Sequence, residues 1–196
     1  MPPLGPRFDD AFAYAARLHA AQKKKGTPTP YLAHLMSVTA LVLDDGGTED
    51  EAIAALLHDA VEDQGGRERL DEIRARFGAS VAAIVEGCSD SFTTPKPPWF
   101  ERKRAYVEHA RHLDGPTLRV SAADKVTNAT AILRDWHKVG NRVWERFNAS
   151  RDEMLWYYGA LVEAFRVSGG GPLAEELARV VRELKALPTA DDPSRT

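Results

Sequence analysis

The stretch Ala54 to Asp63, Ala-Ala-Leu-Leu-His-Asp-Ala-Val-Glu-Asp, runs as a plain apolar helix and then sets one imidazole and three carboxylates within six positions. Such a set is costly beside a core unless something binds it, and a metal ion is the simplest candidate. On an uninterrupted helix His58 and Glu62 share a face, as do Asp59 and Asp63, with Asp59 and Glu62 three apart between them. One helix would then supply metal ligands together with carboxylates for proton transfer. The alternative for this segment alone is a helix end whose acidic residues face water.

Other ionisable residues sit at comparable boundaries. His34 falls in the first turn of an apolar segment, as a ligand, a cap or a core hydrogen-bonder. Asp124 follows an alanine-rich stretch and shares a face with Asn128; the pair either serves a site or bonds to neighbouring helix ends. Lys23, Lys24 and Lys25 precede Gly26-Thr27-Pro28-Thr29-Pro30, a basic loop able to hold phosphates or simply a solvated lysine run. His19 is expected to be a structural hydrogen-bonder, and Cys88 a packing residue.

The elements that position these groups read as helices throughout. Apolar spacing and breakers predict helices over about 7–24, 30–45, 48–63, 67–77, 79–90, 99–112, 115–136, 151–166 and 173–187. Thr48 and Glu51 form a capping-box pattern at the start of the helix carrying His58. Ser91 to Pro98 is the clearest loop, and Gly140-Asn141 opens an irregular connection. Trp156, Tyr157, Tyr158 and Phe165 are expected in the core, although one of the rings could stack on a nucleobase. Apolar positions on the last helix leave a monomer or a homodimer open. No alternation of period two persists and no internal repeat is present, so the expected fold is all-α, a bundle of about eight to ten helices with a metal site at its centre. The expected organisation is one domain over 1–187, with a core over 8–167, a C-terminal helix over 172–187 and a disordered tail over 188–196.

Composition narrows the function classes. With 26 Lys and Arg against 29 Asp and Glu, the net charge of -3 provides no general attraction for nucleic acid or anionic membrane, so any anion site must be local. A single cysteine excludes an intramolecular disulfide, and no apolar run approaches the ~18 residues of a membrane span. The expected compartment is the cytoplasm.

Together, three helices offer His34, the His58-Asp59 pair and Asp124. This mixed nitrogen and oxygen set suits a divalent first-row metal better than calcium or magnesium, with coordination positions left for water. The order, a histidine, an adjacent His-Asp and a distant Asp, resembles the HD phosphohydrolase superfamily, and within it the small single-domain RelA/SpoT-type alarmone hydrolases. The resemblance spans about Phe8 to Phe165. It is carried by HAAQKKK, by PYLAH ending at His34, by AALLHDAVED, by Phe77-Gly78, by ERKR from Glu101 to Arg104 and by ADKVTN from Ala123 to Asn128.

That resemblance implies one manganese ion on His34, His58, Asp59 and Asp124, and a catalytic acidic pair at Glu62 and Asp63. It also implies phosphate-binding Lys24, Lys25 and Lys103, and a nucleotide-binding Asn128. The implied reaction is hydrolysis of the 3′-pyrophosphate of (p)ppGpp to GDP or GTP and pyrophosphate, with a small nucleotide as partner. The chain departs from the pattern at Leu35, where a proline is common, at Thr127 and at Thr130. Because the last two bear on nucleotide contacts, two alternatives stand beside it. One is a hydrolase of another phosphorylated nucleotide, such as an NADPH phosphatase or 3′-phosphate nucleotidase. The other is a catalytically silent nucleotide-binding regulator.

Overall fold

A computed structural model describes residues 4–92, 95 and 97–189. Helices α1 (Pro6–Leu18), α2 (Leu32–Asp44), α3 (Glu49–Leu57), α4 (Ala60–Gln64) and α5 (Gly66–Phe77) lead to α6 (Ala79–Cys88), α7 (Trp99–Ala110) and α8 (Gly115–Val139). A 3-10 helix (Gly140–Arg146), α9 (Arg151–Val167) and α10 (Pro172–Lys185) complete the described chain. Among these residues there is no strand, only an isolated bridge between Lys23 and Pro30. The fold is all-α, as the period of the sequence requires.

The centre is α3. Every residue from Ala52 to Leu57 is 0 % exposed, because a helix apolar on all sides can satisfy itself only inside a core. It is enclosed by α1, α2, α6 and α8. Its start is fixed by a complete capping box, the Thr48 hydroxyl accepting from the Glu51 N–H and the Glu51 carboxylate from the Thr48 N–H at 2.7 Å. Glu51 itself is buried and is neutralised by Arg119 of α8, which also bonds Asp45 at 2.8 Å. One guanidinium thus ties the start of α3 to the end of α2 and to α8, and removing it would leave a buried carboxylate unpaired.

Three boundaries differ from the sequence-based expectation. Helix α1 ends at Leu18 rather than near Lys24, because the donors that would continue it are spent on a small hairpin. Lys24 N–H donates to Thr29 O at 2.9 Å and Tyr31 N–H to Gln22 O at 2.9 Å, with Gly26 at φ +70° at the tip, where glycine avoids strain. The helix expected over 48–63 is interrupted at His58 and Asp59. Asp59 has φ -95° and ψ -3°, and α4 restarts at Ala60. The connection expected after Gly140 is a 3-10 helix.

The apolar stripe of α10 is not available for a second copy. Leu173, Leu177, Val180, Val181 and Leu184 are buried against α8 and α9. Parts of the loop expected over Ser91 to Pro98, namely Thr93, Thr94 and Lys96, and of the tail, from Ala190 on, lie outside the described residues.

Candidate metal centre and nucleotide cavity

The break between α3 and α4 solves a geometric problem. Adjacent residues on a regular helix point about 100° apart, which works against His58 and Asp59 converging on one centre. At the break they do converge, with His58 Nε2 2.9 Å from Asp59 Oδ2. His34, from the first turn of α2, brings its Nε2 to 3.4 Å from His58 Nε2 and 3.6 Å from Asp59 Oδ2. Asp124, midway along α8, places Oδ1 3.2 Å from His34 Nε2 and 3.5 Å from His58 Nε2. Donors about 2.1 Å from a common ion lie roughly 3.0–3.4 Å apart at octahedral to tetrahedral angles, so the spacing of His34, His58 and Asp59 fits one divalent cation, with Asp124 next to both imidazoles.

The groups behind these donors fix them. His58 Nδ1 donates to Ala55 O at 2.8 Å, which leaves the Nε2 lone pair for a metal. The Tyr31 hydroxyl donates to Asp59 Oδ2. Asn128 Nδ2 donates to Asp124 Oδ1 at 2.5 Å, and the Lys125 ammonium bonds the other Asp124 oxygen. The Tyr31 ring lies between those of His19 and His34, at 5.4 and 5.2 Å between centroids.

The electrostatics of the cluster favour positive charge at its middle. Burial works against protonation of His58, but Asp59 and Asp124 outweigh it and hold the imidazole well above its ordinary value. His34 is raised in the same way, with Asp124 opposing burial most strongly. Burial would push both carboxylates up, yet Asp59 is held well below its usual range, chiefly by His58, and Asp124 chiefly by Lys125 with the two imidazoles. A site that draws protons onto two imidazoles equally draws a cation.

His34 also lines a cavity of about 310 Å³ between the lysine hairpin, α7, α8 and α9. Lys24, Lys25, Lys103 and Asn128 line the same cavity, together with Tyr31, Lys125 and Arg146. The rest of its lining includes the aromatic side chains of Trp99, Phe147, Tyr157 and Tyr158. Lys25 and Lys103 are individually anchored. Lys25 Nζ donates to Asn148 Oδ1 at 3.0 Å, and Lys103 Nζ lies 4.9 Å from the centre of the Tyr157 ring and donates to Asp90 Oδ2 at 2.5 Å. The amine of Lys24 is shifted down, first by burial and then by the charge of Arg134. The hairpin itself rests on Arg146, whose side chain is so close to Gly26 that an added Cβ would meet its Cδ at 2.6 Å; Asp135 holds that guanidinium at 2.7 Å.

Glu62 and Asp63 do not line this cavity. They border a second hollow with Gly65, Gly66 and Arg67, one turn beyond the cluster. Glu62 Oε1 accepts from Asp90 N–H at 2.7 Å, and Asp63 Oδ2 accepts from Gln22 Nε2 at 2.8 Å. Gln22 is in turn held by His19 Nδ1 at 2.7 Å, the structural hydrogen bond expected of that histidine. Cys88 is buried and its thiol is pushed up by burial, in keeping with packing.

Spacing alone does not point to Tyr31, Gln22, Asp90, Lys125 or Arg146. Tyr31 and Lys125 flank the motifs PYLAH and ADKVTN from within, which is a signal of position though not of role. Asp90 and Arg146 gain their partners only through the fold.

A model of the HD domain family matches residues 11–155. A Xenopus tropicalis protein named guanosine-3′,5′-bis(diphosphate) 3′-pyrophosphohydrolase MESH1 is 39 % identical over 128 residues, covering 64 % of this chain and 69 % of that one. The Homo sapiens protein of the same name is 38 % identical over 138 residues, covering 69 % and 72 %. A solved metazoan ortholog of SpoT, which hydrolyzes ppGpp and plays a role in starvation responses, superposes with a TM-score of 0.75 at 25 % identity over 93 % of this chain and 98 % of that one. A Listeria monocytogenes EGD-e structure gives 0.70 at 29 % identity, over 77 % and 97 %. With the motif order, the helical fold and the His-Asp cluster all in agreement, this chain belongs to the HD domain family.

Proposed function

We propose that the chain hydrolyses the 3′-pyrophosphate of ppGpp or pppGpp, giving GDP or GTP and pyrophosphate, with one divalent cation, manganese by preference, held by His34, His58, Asp59 and Asp124. The observation that carries the proposal is the convergence of these donors, neighbouring ones 2.9–3.6 Å apart, beside a cavity lined by lysines and aromatic rings. The names of the relatives support the substrate. No helix among the described residues is long and apolar enough to cross a membrane. The proposed enzyme is a cytoplasmic one with a single HD phosphohydrolase domain over 1–187.

When bound, the cation supplies a water of lowered pKa and neutralises charge on phosphoryl oxygens. The chain's own residues do the rest. Water oxygen bonds to phosphorus as the bond from phosphorus to the ribose 3′ oxygen breaks, and the poor alkoxide leaving group needs a proton. Glu62 and Asp63, each pre-set by a hydrogen bond from Asp90 N–H or Gln22, serve as the acid and base that pass protons and place the water. Lys24, Lys25 and Lys103 offset and orient the pyrophosphate as point charges. Asn128 spans two tasks, holding Asp124 while facing the nucleotide cavity. Tyr157, Tyr158 or Trp99 offers a face to the base.

The test is a substrate panel with manganese-loaded protein. The reading predicts that kcat/KM for ppGpp exceeds that for NADPH and for 3′-phosphorylated nucleotides. A preference for one of those, or tight nucleotide binding with no product, would replace it.

A further inference from the structure

Asp90 lies between the two halves of the site and belongs to neither ligand set. It follows α6, in the residues that lead toward the Ser91–Pro98 segment, yet its side chain is only 4 % exposed. Such burial of a carboxylate demands partners, and it has two cations. Oδ1 accepts from Arg102 Nη1 at 2.6 Å and Oδ2 from Lys103 Nζ at 2.5 Å. Its main-chain N–H meanwhile donates to Glu62 Oε1 at 2.7 Å. One residue therefore touches the proposed proton-transfer carboxylate through its backbone and the proposed phosphate-binding lysine through its side chain.

We propose that Asp90 is a positioning residue that pins the Lys103 ammonium at the wall of the nucleotide cavity while its backbone fixes Glu62, so that the phosphate-binding and proton-transfer ends are held in register. This rests on the reading of the site as a nucleotide pyrophosphohydrolase. A lysine side chain has several rotatable bonds, and leaving it free would spread its charge over many positions. Between the Asp90 carboxylate and the face of Tyr157, Lys103 has one place to be. The Asp90 carboxyl is held below the usual carboxylate range, which keeps it charged at neutral pH and accords with the role: burial opposes ionisation, and Lys103 with Arg102 prevails.

Side chain and backbone make separable predictions. Asp90→Asn keeps the N–H to Glu62 and loses the charge on Lys103, so KM for ppGpp should rise about tenfold while kcat moves less than about threefold. Lys103→Met should raise KM by a similar factor, and the double variant should match Lys103→Met alone, because the carboxylate acts only through that lysine. Asp90→Glu, which keeps the charge, should recover most of the wild-type KM, and should Asp90→Asn fail to fold, the same cycle is run with Asp90→Ser, which also keeps the N–H and removes the charge. Single-variant effects that multiply in the double variant, or a KM unchanged or lowered by Asp90→Asn, would overturn the proposal.

A second readout does not need turnover. In protein carrying 15N-labelled lysine, the Lys103 ammonium should give a protected, slowly exchanging NMR signal that is lost in Asp90→Asn. Survival of that signal would overturn the proposal even if the wild-type protein turned over no ppGpp, a result that would separately sink the reading of the reaction.

Discussion

The metal cluster and the lysine wall lie side by side and are built in different ways. The cluster hangs on the most buried part of the chain, with α2, α8 and the break that follows α3 delivering the proposed ligands into a space where every donor is within 3.6 Å of another. The wall is assembled from a hairpin, from α7 and from the 3-10 segment, and Lys25, Lys103 and Arg146 are each placed by a separate partner, Asn148, Asp90 and Asp135. On the proposed reading, the chemistry is tied to the core, whereas substrate choice is tied to peripheral contacts that can change one at a time. Changes in the cluster should cost metal and kcat together, and changes in the wall should appear mainly in KM.

The sharpest test of that contrast is Asp59→Ala. It removes a ligand and the acceptor for Tyr31, and should abolish both manganese binding, read by calorimetry, and turnover, with a larger fall than any variant below. Glu62→Gln should leave metal binding intact and lower kcat by about 10²–10⁴-fold, the usual loss of one proton-transfer group. If it lost metal as well, the division of roles along α4 would be wrong. Tyr31→Phe deletes the hydrogen bond behind Asp59 and should cost about 10–100-fold in metal affinity or activity.

On the wall, Lys24→Ala should raise KM for ppGpp about tenfold with kcat nearly unchanged, as loss of one charged contact to phosphate predicts. A fall in kcat without a change in KM would erase the distinction between the two regions. The smallest effect is on stability. The carboxyl of Asp90 is lowered from 3.8 to about 2, mainly by Lys103 acting against burial. Because the folded value lies below the unfolded one, the ionised group stabilises the fold above about pH 4, and the contribution, about 2 kcal/mol, is lost as pH falls toward 2. Urea unfolding of wild type and Asp90→Asn across that window should converge at its acid end.

The same contrast explains what the sequence reveals. The order of the proposed ligands His34, His58-Asp59 and Asp124 is legible because helices of clear period carry or flank them, and residues three or four apart have predictable neighbours. The break after Leu57 is hidden, since nothing in Leu-Leu-His-Asp-Ala-Val disfavours a helix; it becomes evident only when His58 and Asp59 are seen to share a centre. The early end of α1 is hidden for a related reason, because Gln22, Lys23 and Lys24 are good helix formers that tertiary hydrogen bonds draw into a hairpin. Lys103 is readable as a cation, but its anchor Asp90 is thirteen positions away across a loop. The stripe on α10 shows amphipathicity without naming its partner, which proves to be α8 and α9 of the same chain.

The most direct test of the account is product analysis of ppGpp incubated with the chain, manganese-loaded and chelator-stripped in parallel. The account predicts GDP and intact pyrophosphate from the loaded protein alone. Release of orthophosphate, equal turnover after stripping, or no turnover by folded, metal-loaded protein would contradict it.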